Sequence, residues 1–556
     1  MRAPGIQTIY GLSPQQQGIL FQTLTAEPGL FIEQTLIPFE GFLNLEALQR
    51  AWQHAIDRHD ILRTAFVWKQ QQEPMQVVLQ TASLPIAEHD LRDVTGVEQE
   101  RLIAALVKDE RQRPFDLLKP PLMRVALIRT GEMSRLCVWT QHHILMDGWC
   151  GPTLLNEVAQ FYQAFSTGQD PNAPPSPQYK EYIAWLKRQD SAAAERFWRS
   201  FLAGICRPTP LGTENPDLVP TPEPERWASI RECASHDFAS RLATLARDHR
   251  LTLNTLLQGA WALLLSRYSQ QEDVMFGVTV SGRPAEVSQV EQIIGLFINT
   301  VPCRARVRRN APLSEWLSEL QSAHAESRRF DYCATGQIHE WTDVPLTARL
   351  YESILVVENY PADMRQQQES AAEFVGARTS YLLTLVVQTV PDLRISAVFD
   401  SARIERAAVQ SILQHLLFVL NMFATNSESM VGTVLDQIPA RSSPVIRTER
   451  AASTGGAATA EDGPQTEVEQ QLVTVCKELL RLTQIPVTAN FFELGGHSLL
   501  LMRLASRIRQ EFDVELPLRV YFEARSLREL AATIEEAVLR SIEELSDEEA
   551  QRLTAK

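Results

Sequence analysis

Two adjacent histidines, His142 and His143, are followed at short range by Asp147-Gly148-Trp149. They sit between a strand pattern, Arg135 to Gln141, and an amphipathic helix pattern, Pro152 to Phe165. A loop so placed holds a general base on rigid support, and a neutral imidazole accepts a proton near neutral pH. Asp147 offers a charge to lock the loop, and Gly148 lets backbone approach a reacting group closely. A second stretch, Phe491-Phe492-Glu493-Leu494-Gly495-Gly496-His497-Ser498-Leu499, delivers a serine to the start of a helix. A hydroxyl there lies beside the positive end of the helix dipole, where an attached phosphate is stabilised. The plainer alternatives are a buried histidine pair and an N-cap serine.

The elements that must carry these residues are readable from periodicity. Ser13-Pro14 reads as an N-cap and first helical position, opening a helix through Leu20 and Phe21. Asn44 caps a second helix, with Leu45, Leu48, Trp52 and Ile56 on one face. Strands are expected over Arg63–Trp68, Met75–Leu79, Met123–Ile128 and Leu136–Gln141. Pro-rich crossings at Pro171–Pro177 and Pro208–Pro224 precede a second α/β segment that runs to about residue 440. It holds a helix over Leu253–Tyr268, strands at Val274–Val280, Ser353–Val357, Leu382–Gln388 and Arg394–Phe399, and an apolar helix over Ala407–Phe423. Residues 441–466 are rich in Ala, Ser, Thr, Gly and Pro and read as a flexible linker. A small all-helical pattern follows, over Glu467–Leu482, Leu499–Phe512, a turn near Val520, and Ser526–Leu539.

With 556 residues the chain has room for three or four domain-sized units. A net charge of −15 argues against nucleic acid as a partner. Seven scattered cysteines without a CxxC pair read as reduced thiols in a cytoplasmic protein, with no metal site. The first ten residues lack an apolar signal core, and no run is read as a membrane span. From residue 461 onward, 18 acidic and 11 basic side chains give a bias that suits visiting partners by charge.

The serine stretch, inside a helical module of this size, resembles a peptidyl carrier protein. Residues 6 to about 440 resemble the condensation domain of nonribosomal peptide synthetases. The resemblance rests on the histidine motif and on Leu12-Ser13-Pro14-Gln15-Gln16-Gln17-Gly18-Ile19-Leu20-Phe21, Arg58-His59-Asp60-Ile61-Leu62-Arg63-Thr64, Asp273 to Gly277 with Ser281-Gly282-Arg283-Pro284, Ile294 to Pro302, and Val357-Glu358-Asn359-Tyr360-Pro361. It implies an α/β fold of two lobes like chloramphenicol acetyltransferase, set in a V around a tunnel, with a four-helix carrier behind them. The divisions are 1–175 and 176–440 for the lobes, 441–466 for the linker, 467–540 for the carrier, and 541–556 for a tail that is either frayed or a docking segment.

The resemblance also implies the chemistry. A donor acyl group passes from a carrier thioester to an acceptor amine held on the chain's own carrier, with 4′-phosphopantetheine attached at Ser498. His143 is the candidate catalytic residue. It takes the amine proton, or it orients the amine and stabilises the positive nitrogen. The Gly148 N–H would hold the donor carbonyl or its oxyanion. His142 and Asp147 read as structural, with Arg283 the first and Arg63 the second choice of partner for the buried Asp147. Ser281 and Asn299 are candidate tunnel residues, and Trp149 a wall residue. Ester formation with an alcohol acceptor and a non-catalytic recruiting platform are the competing functions, and an epimerisation domain is disfavoured by its usual place after its carrier. The implied partners are an upstream donor carrier, a phosphopantetheinyl transferase and a downstream synthetase met through the tail; with no adenylate-binding motif seen, either a trans-acting adenylation enzyme charges the arm, or the chain is cut from a larger one, or the arm serves a different acceptor such as a soluble amine or alcohol.

Overall fold

The computed structural model describes residues 5–25, 30–68, 73–171, 173–212, 227–346, 348–358, 373–375, 381–389, 393–439, 463–480, 482–491, 494, 498–517, 520–521 and 524–543. The linker through residue 462, the Asn359-Tyr360-Pro361 end of one motif, most of the loop before Ser498, and the tail from residue 544 lie outside them.

Helices and strands alternate along the first half. The strands Ser134–His142 and Met123–Arg129 pair antiparallel and sit at the centre of a sheet with Ile32–Glu40 and Ile86–Asp90. A small second sheet joins Ile6–Gly11, Met75–Leu79 and Thr64–Val67. The helices Leu45–Arg58 and Cys150–Ser166 cover the larger sheet, and Asn44 caps the first by accepting from the Ala47 N–H at 3.1 Å. Its Trp52 stacks obliquely against Trp139 of the central strand.

The second half builds a six-stranded sheet in the order Asn299–Arg306, Asp273–Val280, Ser353–Glu358, Leu383–Gln388, Arg394–Asp400 and Trp227–Cys233. Its central helix, Leu253–Ser269, is buried on every side from Thr255 to Ser266, as an all-round apolar helix must be. The helix Arg406–Thr425 corrects the expectation that no apolar run reaches the length of a membrane span: by length and composition alone its 20 residues suffice. Here Val409, Ile412, Leu413, Leu416, Val419, Leu420 and Phe423 are buried in this lobe's core.

The halves are not closed units. The short strand Glu373–Val375, from the second half, adds to the first half's sheet by pairing with Gln34, Thr35 and Leu36. Val287 to Phe297 contribute their apolar side chains to the first half's core. A third core belongs to the C-terminal helices Glu467–Leu480, Ser498–Phe512 and Leu527–Glu543, with a helical turn at Val520–Tyr521. The last of these helices runs through residues 541–543, which the sequence pattern assigns to the tail.

The helix Pro14–Thr25 begins in a reciprocal cap. Ser13 Oγ accepts from the Gln16 N–H at 3.3 Å, and Gln16 Oε1 accepts from the Ser13 N–H at 2.9 Å. The same Gln16, fully buried, donates through Nε2 to the Ile144 carbonyl at 3.2 Å and to Gln76 Oε1 at 3.1 Å. One amide thus ties the first helix, the small sheet and the histidine loop together. Gln16→Leu strands these groups without partners in the interior, and at about 1–3 kcal/mol each it is expected to lower stability by roughly 3 kcal/mol. A reduced denaturation midpoint in urea would register the loss.

Candidate active site

The register of two strands sets the site. Ile32 lies opposite His142 and Glu33 opposite Gln141. One residue on, the His143 N–H donates to the Phe31 carbonyl at 2.7 Å, so the loop leaves the sheet still held to that strand. Side chains directly opposite on one face of a sheet meet. Here Gln141 Nε2 donates to Glu33 Oε2 at 3.0 Å. Glu33 Oε1 lies 3.0 Å from His143 Nδ1. That approach is close enough for an ion pair but too oblique for a straight hydrogen bond.

The two histidines sit in opposite environments. His142 is sealed: Nδ1 accepts from the Ile144 N–H at 3.2 Å, and Nε2 lies 3.3 Å from Thr23 Oγ1. Burial, then the neighbouring His143 charge, pushes its pKa down to about 3, so the ring is neutral. His143 keeps 12% of its side chain exposed, with Nδ1 itself shut away from solvent. Burial alone would also drive this ring toward the neutral form. The Glu33 carboxylate outweighs burial, helped by Asp147 and the Met146 backbone, and holds the imidazole above its ordinary value.

Asp147 is fully buried and satisfied from four directions. Oδ1 meets Arg283 Nη2 at 3.2 Å and the Cys150 thiol at 3.3 Å; Oδ2 accepts from the Phe297 and Ile298 N–H groups at 3.0 and 3.3 Å. Arg283 also donates to the Val290 and Ile293 carbonyls at 2.6 and 3.1 Å and lies over the Phe297 ring at 4.1 Å. Two glycines admit this packing. Gly282 has φ +61, and a Cβ there would fall 1.8 Å from the Phe297 carbonyl oxygen; one on Gly295 would fall 2.1 Å from the Tyr179 ring.

Arg63, the second choice of partner for Asp147, is elsewhere. It pairs with Asp60 at 2.6 Å and donates to the carbonyls of Ile56, Asp57 and Leu79. It holds the end of the helix Leu45–Arg58 against the small sheet, not the active loop. Asn299 is not in the tunnel wall either. Its Nδ2 donates to the Asp331 and Cys333 carbonyls at 2.7 and 2.6 Å, while Oδ1 accepts from the Thr300 N–H at 2.9 Å.

A cavity of about 950 Å³ lies between the halves. Glu33, His143, Gly148 and Trp149 line it from one side, and Ser281, Arg283, Val356 and Thr384 from the other. Its wall also includes Leu500 and Arg503 of the C-terminal helical unit. That unit rests on the helix Pro14–Thr25 and on the end of the connection between the strands Thr64–Val67 and Met75–Leu79: Phe21 packs against its apolar core, and Arg503 Nη2 lies 2.6 Å from Glu73 Oε1. Ser498 opens the 15-residue helix that carries both lining residues. Ser498 is thus the first residue of a helix whose N-terminus suits a phosphate. The arrangement therefore fits a phosphate-linked arm.

Sequence reasoning misses Glu33, Gln16 as a support of the loop, and Phe21 with Glu73 as a docking face. The strand Ile32–Glu40 buries its first four residues, polar Glu33 and Gln34 among them, and contains Pro38. It shows no alternation that would mark it.

Residues 6–437 match the family model for the condensation domain, and residues 470–534 match that for the phosphopantetheine attachment site. One of the linear gramicidin synthase proteins of Brevibacillus parabrevis is 39% identical over 432 residues, covering 77% of this chain and 8% of that protein. Chondramide synthase cmdD of Chondromyces crocatus is 34% identical over 476 residues, 77% of this chain and 12% of its own length. The chain thus spans about a tenth of these relatives. Among solved structures, the condensation domain of the monacolin K polyketide synthase MokA gives a TM-score of 0.63 at 17% identity, covering 77% of this chain and all of that one. A holo four-domain nonribosomal peptide synthetase bound to AMP and glycine gives 0.62 at 16% identity, covering 86% of this chain and 37% of that one. These structures share the fold.

Asp147→Ala would leave the Arg283 guanidinium buried without its counter-charge, a loss of about 3–5 kcal/mol for a broken buried pair. A denaturation midpoint unchanged from wild type would contradict the weight given to this pair.

Proposed function

This chain belongs to the condensation-domain family of nonribosomal peptide synthetases and carries a phosphopantetheine-attachment region, and on that premise we propose that it transfers an acyl or peptidyl group from a donor carrier's thioester to the amine of an acceptor held on its own carrier. The observation that carries this reading is the shared cavity, which brings His143 together with Leu500 and Arg503 of the carrier helix that begins at Ser498. A non-catalytic platform would have no need of an open passage to that imidazole.

4′-Phosphopantetheine, held at Ser498, would supply the thiol that carries the acceptor as a thioester. The chain's own residues do the rest. With Nδ1 facing Glu33, His143 Nε2 is the ring nitrogen left for the amine. It accepts the amine proton as the C–N bond forms, then returns that proton to the departing sulfur as the C–S bond breaks. The Gly148 N–H, in the same wall, serves the developing oxyanion. Asp147 and Arg283 hold the loop in place, and His142 supports it from beneath as a neutral, hydrogen-bonded ring. The partners of this reading are a donor carrier, a phosphopantetheinyl transferase to load Ser498, an adenylation enzyme acting in trans, and a downstream synthetase. The divisions at 1–175, 176–440, 441–466 and 467–540 serve as its working boundaries.

His143→Ala, given synthetic donor and acceptor thioesters, is expected to lose about 10²–10⁴-fold in rate. Equal product from mutant and wild type would leave only the platform. Ser498→Ala should gain no pantetheine mass by intact-protein mass spectrometry after incubation with a phosphopantetheinyl transferase. It should lose carrier-bound product while still using a soluble acceptor thioester.

A further inference from the structure

We propose that Glu33 is a positioning residue of this acyl transfer: from the strand Ile32–Glu40 its carboxylate fixes the Nδ1 edge of His143 and so presents Nε2 to the acceptor amine. The inference rests on reading His143 as the base.

Three observations support that role. The Glu33 carboxylate is held from behind, because Gln141 Nε2 donates to Oε2 at 3.0 Å, leaving Oε1 at 3.0 Å from Nδ1. Its backbone cannot drift from the histidine, because the strand register and the His143-to-Phe31 hydrogen bond join the two segments on both sides of the pair. Glu33 is 3% exposed yet lines the same cavity as His143. A carboxylate so buried needs a cationic or hydrogen-bonded partner. Among the described residues no arginine or lysine is paired with it, so the imidazole is its charge partner.

The other charges around the ring do not take this place. On its own loop, His142 is neutral, and the Asp147 charge is matched by Arg283 from the opposite lobe. Farther along the cavity wall stand His324, Arg328, Glu340 and Glu358, with Arg503 from the carrier. Glu33 is the carboxylate that touches the ring. During the reaction the amine nitrogen bonds to the donor carbonyl carbon, its proton passes to Nε2, and the carbon–sulfur bond breaks with that proton ending on sulfur. Glu33 gives and takes no proton in these steps. It stabilises the imidazolium that exists between the two proton movements, and it keeps the ring from turning away.

The sign of the pH effect follows. A base must be neutral to accept a proton, so kcat/KM falls as pH drops below the His143 pKa. Glu33 raises that pKa, so removing its charge moves the acid limb to lower pH. We would measure kcat/KM against pH with a donor thioester and a soluble acceptor, using the full chain. Glu33→Gln is expected to lower the plateau by about 10- to 100-fold and to move the acid limb to lower pH. Glu33→Asp, one methylene shorter, keeps a charge but withdraws it from Nδ1. It should fall between the two in both rate and limb, and it carries the test if Glu33→Gln does not fold. Full rate in either variant, or a slowed Glu33→Gln whose acid limb has not moved, would overturn the proposal. The His143→Ala arm separates the two ideas. An active His143→Ala sinks the base reading itself, whereas an inactive one beside an unaffected Glu33→Gln sinks only the role given to Glu33.

Discussion

Asp147 and Arg283 bury opposite charges 3.2 Å apart, one from each half of the chain, with almost none of either side chain open to solvent. Desolvating such a pair costs several kcal/mol per ion, and attraction alone need not offset it. What offsets it here is complete satisfaction. The carboxylate takes two backbone N–H groups, a thiol and the guanidinium, and the guanidinium takes two backbone carbonyls besides. A pair so connected has one geometry. It joins the histidine loop to residues 290–298 and, through them, fixes the two walls of the cavity relative to each other. The crossover strand Glu373–Val375 reinforces this from the far side of the sheet. The site is therefore a property of both halves, and neither half alone would hold His143 opposite the Ser281–Arg283 wall.

Within that frame one strand end and the loop leaving it produce two histidines of opposite character. They are adjacent in sequence, and burial acts on both in the same direction. The difference is the facing strand. His142 meets only neutral groups, a backbone N–H and a threonine hydroxyl, and its pKa falls to about 3. His143 meets a carboxylate and is raised. A one-residue slip of the Ile32–Glu40 register would reverse which face carries Glu33, so the chemistry of the loop depends on a strand that shows little in the sequence. The backbone bond from His143 to Phe31 and the Gln141–Glu33 contact are what prevent that slip.

The same contrast decides what is legible in the sequence. The central elements announce themselves through local signals: Ser13-Pro14 as N-cap and first helical position, Asn44 before a helix with one apolar face, and the apolar run from Leu136 toward Gln141. The Asp147–Arg283 pairing is suggested because a buried carboxylate demands a cation and few arginines stand in suitable motifs. Glu33 is hidden, since its strand buries polar residues and includes a proline. Asn299 misleads in the other direction. A polar residue in a motif near the site reads as a wall residue, yet its amide is spent on the Asp331 and Cys333 carbonyls. Such long-range hydrogen bonds leave no periodic trace in a sequence. Nor can pattern reveal that residues 287–297 leave their own half to complete the core of the other.

The contact between carrier and condensation region has a different character from the pair at the centre, and the difference suits its task. Arg503 and Glu73 are 38% and 63% exposed, so their attraction is worth no more than about 1 kcal/mol. Phe21 adds one apolar contact. Among the described residues these contacts are few and partly exposed, and because the carrier is covalently attached, effective concentration takes the place of affinity. Weak docking then becomes a requirement. On the proposed reading, the same serine would be reached by an enzyme that installs the arm, by one that loads it, and by the cavity that uses it. A large buried interface would lock the carrier at the cavity wall and end the cycle after one turn. The satisfied Asp147–Arg283 pair and the exposed Arg503–Glu73 contact thus answer the two needs of the proposed reaction: a base that cannot move, and a carrier that can.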